Sequence, residues 1–153
     1  MKSKLTIEKY LDRLLKTRLR SQFEIEQKLK QKKYLPKEIQ KAIEVLKKDN
    51  LINDKRFAYA FVHDREILNP RGKRLLALEL RHKGITSEII EEVLSFDDRH
   101  ELELACQALG RKKRSYQNLD QFERKKKLLG FLSRRGFSYG ISKAAIEKRF
   151  KSC

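Results

Sequence analysis

The chain has 153 residues, 39% of them charged, with 38 Lys/Arg against 21 Asp/Glu and a net charge of +17. Scarce Pro and Gly and abundant Leu, Lys, Glu, Arg, Ile and Ala predict an all-α protein. No stretch approaches the ~20 apolar residues of a membrane span, Cys106 and Cys153 are too few for a disulfide framework, and the N-terminal MKSKLTIEKYLDRLL lacks the apolar core of a secretory signal, so a cytoplasmic protein is expected.

In chain order, Leu11, Leu14, Leu15 and Arg18 open a helix at the spacing 3-1-3. Ile25 and Leu29 form the i, i+4 pair of a second helix, and Lys33-Tyr34-Leu35-Pro36 breaks it. Ile39, Ile43 and Leu46 mark a third helix, with Pro36 suited to its first turn. The same order returns. Ala58, Phe61, Val62 and Arg65 repeat the first helix, Leu76 and Leu80 the second, and Ile89, Val93 and Phe96 the third. It returns once more with Leu102, Ala105, Cys106 and Leu109, then Leu128 and Leu132, then Ile141, Ala145 and Ile146.

The second-helix pairs are separated by 51 and then 52 residues. Gly84-Ile85-Thr86 and Gly136-Phe137-Ser138 follow the second and third pairs; glycine can close a helix in the left-handed conformation and Thr86 or Ser138 can cap the next. The first copy has no such glycine, and its turn is expected to be one residue longer. The connection between first and second helices is expected to be shortest in copy one (RLR) and longest in copy three (GRKKRSYQNLDQ). The expected architecture is three tandem three-helix repeats of about 50 residues, 1–50, 51–98 and 99–153, sharing apolar surface in an elongated, curved array.

The charge is uneven across these units. Residues 1–50 carry 15 Lys/Arg against 7 Asp/Glu (+8), residues 51–98 carry 8 against 9 (−1), and residues 99–153 carry 15 against 5 (+10). Such a chain should seek a polyanion: nucleic acid, an acidic protein surface, or a complex containing both. A catalytic role is not expected. His63, His82 and His100 lack metal-ligand spacing, there is no Gly-rich phosphate loop, and Cys106 aligns with Val62 and Leu15 as a small core residue, so no cofactor or metal is expected.

Helix, glycine turn, helix is also the skeleton of a DNA-reading helix-turn-helix. The third helix of copy two, however, carries Glu88, Glu91, Glu92, Asp97 and Asp98, which would face phosphates with like charge. That of copy three has Lys143, Lys148, Arg149 and Lys151 but no Asn or Gln for bidentate base reading. Sequence-specific DNA reading is disfavoured. The bases crowd the preceding helices and the third-copy loop instead: Arg71, Lys73, Arg74, Arg81 and Lys83 in copy two, and Arg111, Lys112, Lys113, Arg114, Arg124, Lys125, Lys126, Lys127, Arg134 and Arg135 in copy three. These are the candidate partner- or DNA-facing track.

The stretches LINDKRFAYAFVHDR (Leu51 to Arg65) and NPRGKRLLALELRHKGI (Asn69 to Ile85), with RLRSQFEIEQKL and FLSRRGFSYGI in the flanking copies, resemble the RecX family of bacterial regulators of the recombinase RecA. Lys33 departs from the glycine that the family commonly has there. The resemblance implies a non-enzymatic regulator of three tandem three-helix repeats; separately, a monomer is expected. It would bind the RecA nucleoprotein filament, with weak direct DNA contact, suppress ATPase, strand-exchange and coprotease activity, and so act in recombination, DNA repair and the SOS response. Two other classes fit the charge: a stand-alone basic nucleic-acid-binding module, and an adaptor for an unrelated acidic partner.

Overall fold

The structure, a computed structural model, describes residues 6–150. Among these the elements are all helical: α1 Ile7–Thr17, α2 Gln22–Gln31, α3 Pro36–Lys48, α4 Asp54–Leu68, α5 Lys73–His82, α6 Ser87–Val93, α7 Asp98–Gly110, a 3₁₀ turn Lys113–Tyr116, α8 Gln121–Arg134 and α9 Tyr139–Phe150. Within each repeat the apolar faces close on one another. Around Ile25 and Leu29 stand Leu11, Ile39, Ile43 and Leu46. Around Leu76 and Leu80 stand Ala58, Val62, Ile90, Val93 and Leu94. Around Leu128 and Leu132 stand Leu104, Ala105, Leu109, Phe137 and Ala145. The three second-helix pairs predicted from spacing are thus the centre of each core, every member at most 1% exposed.

These are three separate clusters, not one shared core; only the half-buried Phe96 packs against both the second and the third. The accessible surface is 10612 Å², against about 8,100 Å² expected for a compact globule of this mass. The chain is therefore an extended array of small units.

The helix-closing turns are the same in all three repeats. Tyr34, Ile85 and Phe137 donate their N–H to the carbonyls of Leu29, Leu80 and Leu132 at 3.2, 3.0 and 3.1 Å. Gly84 and Gly136 take φ of 76° and 91°, and Lys33 takes φ 63° in the matching place. The first turn is accordingly not one residue longer, as the sequence had led us to expect; a lysine adopts the left-handed conformation that glycine adopts elsewhere. Counting from this common turn moves the third-helix register by one. Ile39, Ile90 and Ser142 are equivalent and buried, whereas Ile89, Phe96 and Ile141 are only half-buried.

Three smaller expectations are also corrected. In α7 the buried apolar positions are Leu104, Ala105, Ala108 and Leu109, while Leu102 and Cys106 are half-buried: the buried Phe57, Ala58 and Val62 of α4 recur at Leu104, Ala105 and Leu109, three residues later than the spacing suggested. The first-to-second connections span 18–21 and 69–72, equal in length, and only the third, 111–120, is long. Ser138 caps α9 by accepting from the Ile141 N–H at 3.3 Å, whereas Thr86 stands at the start of α6 without a side-chain cap.

Since the cores are separate, polar and backbone contacts carry much of the joining. At the first junction Asp54, opening α4, accepts the N–H of Gln22, the first residue of α2, at 2.9 Å. At the second, Glu101 of α7 accepts the N–H of Lys73, the first residue of α5, at 3.0 Å. The second and third repeats therefore each satisfy a helix N-terminal donor of the one before. The same N-termini abut the next repeat's left-handed glycine: a Cβ on Gly84 would collide with Phe23, and one on Gly136 with Leu75. Gly72 also donates its N–H to the Arg135 carbonyl at 2.8 Å, an approach too close for any side chain at position 72.

Candidate functional site

The glycine junction between the second and third repeats leaves a cleft beside it. Helices α5 and α6 form one wall and the C-terminal end of α8 the other, of a shallow, open depression of about 750 Å³. Leu75, Ala77, Leu78, Ile90 and Leu94 give it an apolar floor, and Lys73, Arg74, Arg81 and Arg134 ring it with positive charge; Glu91 is its one carboxylate. Arg74, Arg81 and Arg134 are exposed, and Leu78 is exposed at 45%. Lys73 is fixed more firmly, with Nζ 4.8 Å above the Phe96 ring.

The other bases of the predicted track divide by what they touch. Lys83 is bonded to Glu24 at 2.6 Å across the first junction. Burial would push the Glu24 carboxyl up, but the bonds from Arg18 and Lys83 outweigh it and hold the group below its ordinary value. Arg71 pairs with Glu79; burial first, then the charges of Arg65 and Arg135, lower its pKa. Arg135 bonds Asn69 and lies 5.3 Å from the Phe131 ring. Arg111 donates to the carbonyls of Ile67, at 2.7 Å, and Leu68, closing the end of α4. Arg124 gathers the carbonyls of Tyr116, Gln117 and Leu119 at 3.0 to 3.1 Å and so pins the long connection.

Lys112 is half-exposed over Phe131 at 5.6 Å, and Lys113, Arg114, Lys125, Lys126 and Lys127 are exposed. Lys127 and Arg134 are seven residues apart on α8, about 10 Å along its axis, so the lysine run and the cleft occupy different parts of one helix. The structure thus brings Lys73, Arg74, Arg81 and Arg134 together, while Arg71, Lys83, Arg111, Arg124 and Arg135 serve internal contacts. Sequence reasoning missed the apolar floor; the half-buried Ala77 and exposed Leu78 beside the Leu76 and Leu80 core pair were its one available sign.

Four cations over an apolar floor suit an anionic ligand with some apolar surface, such as an acidic protein segment, and hold no reacting group. Among the described residues no three His, Cys, Asp or Glu side chains converge as metal ligands, and no helix is long and apolar enough to cross a membrane. Burial raises the Cys106 thiol above its ordinary value, which leaves it protonated and unreactive near neutrality.

Tandem three-helix units joined through left-handed turns, with a basic cleft between the second and third, define a helical-repeat protein. Family models for the first, second and third three-helix domains of RecX match residues 13–46, 53–94 and 100–146. The chain belongs to the RecX family. It is 33% identical over 144 residues to the regulatory protein RecX of Chlorobium limicola, covering 94% of this chain and 89% of that one. It is 36% identical to that of Chlorobium phaeobacteroides, covering 92% and 91%. The crystal structure of RecX from Lactobacillus salivarius superimposes with a TM-score of 0.79 at 26% identity, over 94% of this chain and 96% of the other. These are regulatory proteins, and the chain is one of a regulatory rather than an enzymatic family.

Proposed function

We propose that the chain acts in the cytoplasm as a monomer that binds the RecA–DNA filament and inhibits its ATPase, strand-exchange and coprotease activities, so restraining recombination, DNA repair and the SOS response. The observation that carries this reading is the cleft of Lys73, Arg74, Arg81 and Arg134 between the second and third repeats. An acidic protein segment lying near DNA meets both of its requirements, charge and apolar area. Basic residues outside the cleft, among them Lys125, Lys126 and Lys127, would steer encounter and contact DNA weakly.

The test is the single-stranded-DNA-dependent ATPase of RecA, titrated with this protein and with an Arg74→Glu, Arg81→Glu, Arg134→Glu variant at near-physiological salt. The wild type should inhibit and the variant should need at least about tenfold more protein for the same effect, the scale of a ~1.4 kcal/mol loss. Equal inhibition by both would remove the cleft from the reading. No inhibition, with tight binding to naked DNA that falls steeply with salt, would favour a stand-alone nucleic-acid-binding module.

A further inference from the structure

The sequence QFE occurs twice, at residues 22–24 and 121–123, each time opening the second helix of a repeat. In the first repeat this segment is a docking element. Phe23 lies against Gly84, so closely that a Cβ there would collide with it. Glu24 binds the preceding base, Lys83, at 2.6 Å. The Gln22 N–H finds the Asp54 carboxylate of the next repeat. The partner motif is therefore a helix closed by a base and a left-handed glycine, followed by a buried apolar residue, here Lys83-Gly84-Ile85.

The second copy of QFE is uncovered among the described residues. Phe122 is 78% exposed, against 42% for the docked Phe23. Glu123 is exposed, while its N–H is held by the Asp120 carboxylate at 2.8 Å, so the helix start is formed and capped. A large aromatic, an acid and a helix N-terminus thus stand in the arrangement that engages a base–glycine turn in the first repeat.

We propose that the start of α8, through Phe122 and Glu123, docks onto a partner protein at a helix that ends in Lys or Arg, then glycine, then an apolar residue. Phe122 packs on the bare glycine backbone and Glu123 binds the base, as their counterparts do inside the chain. A second wild-type copy is not that partner. The equivalent turn of its first repeat, Lys32-Lys33-Tyr34, has the left-handed geometry, with Lys33 at φ 63°, but Lys33 carries a Cβ where Phe122 would have to lie. Lys33 thereby keeps the array from adding head to tail. This surface is separate from the basic cleft and does not depend on what fills it.

The chain supplies its own probe. A Lys33→Gly, Phe122→Ala variant presents Lys32, a glycine and Tyr34 as an acceptor, with Glu8 in the first turn of α1 to receive the incoming helix N–H, and has no aromatic with which to self-associate. Isotope-labelled wild-type protein is titrated with it and followed by amide NMR. One-to-one binding is expected, with shifts centred on residues 121–124, weakened at least tenfold by Phe122→Ala or by Glu123→Lys in the labelled chain. The single variant Lys33→Gly should form concentration-dependent oligomers in sedimentation, where wild type does not. No binding up to about 1 mM, an interface worth less than ~4 kcal/mol, would overturn the proposal. So would binding that is indifferent to Phe122, or shifts at Phe122 caused by an oligothymidine and not by the acceptor, which would make it a base-stacking residue instead.

Discussion

Lys83 and Glu24 meet at 2.6 Å across the first junction, and the same carboxylate receives the Arg18 guanidinium at 3.0 Å and the Ser21 N–H at 3.3 Å. One acid thus closes the capping box of α2 and fastens the second repeat to the first. Removing its charge by Glu24→Gln should destabilise the protein by about 1 kcal/mol, a charge-assisted bond discounted for the solvent around Arg18 and Lys83. Because the folded carboxyl titrates below its ordinary value, its contribution is present above the unfolded pKa and lost as pH falls through the folded one. Urea unfolding between pH 7 and pH 3 should show wild type and variant converging at the acid end. Parallel curves would mean that Glu24 contributes no linkage.

Glycine 84 serves two purposes, and they can be separated. Gly84→Ala should cost at least about 1 kcal/mol through the positive φ alone, and more because Phe23 must move. Lys33→Gly, made with Phe122→Ala to exclude association, should change stability by less than about 1 kcal/mol, since relief of the left-handed strain is offset by the greater freedom of the unfolded chain. Thermal unfolding of the two variants measures the contrast.

The third core buries one hydroxyl, that of Ser142. It is 1% exposed, its hydroxyl has no hydrogen-bond partner among the described residues, and the equivalent positions are Ile39 and Ile90. Ser142→Ala should stabilise the protein by about 1 kcal/mol, by removing an unsatisfied buried group and improving helix propensity. A lower melting temperature would show that the hydroxyl does have a partner.

Arginines that look alike in sequence should fail in different ways. Arg111→Ala leaves the last carbonyls of α4 without their donor and should lower stability by about 1–2 kcal/mol. Arg74→Ala, on the exposed rim of the cleft, should leave the melting temperature unchanged and weaken only partner binding. Calorimetry and the ATPase titration, run on the same two proteins, separate the two kinds of effect.

The sequence revealed the repeat because the pairs Ile25–Leu29, Leu76–Leu80 and Leu128–Leu132 combine helical spacing with a nearly constant offset, and each pair lies at a core centre. It misplaced the third helices because Lys33 does not announce a left-handed turn as glycine does, so Pro36 looked like the sequel to an extra residue. The junction carboxylates were out of reach: Asp54 and Glu101 act on donors 32 and 28 residues earlier in the chain. For the basic residues, composition measured the total charge but could not distinguish Arg124, turned toward its own loop carbonyls, from Arg134 on the cleft wall.

The direction of these junctions bears on how the chain is made. Helix α5 has Gly72 at its start, with no side-chain cap of its own, and its first donor is met by Glu101. As the polypeptide leaves the ribosome, the middle unit therefore waits for residues synthesised later to complete it. A nascent chain halted before Glu101 should hold α5 frayed at its start until that carboxylate emerges.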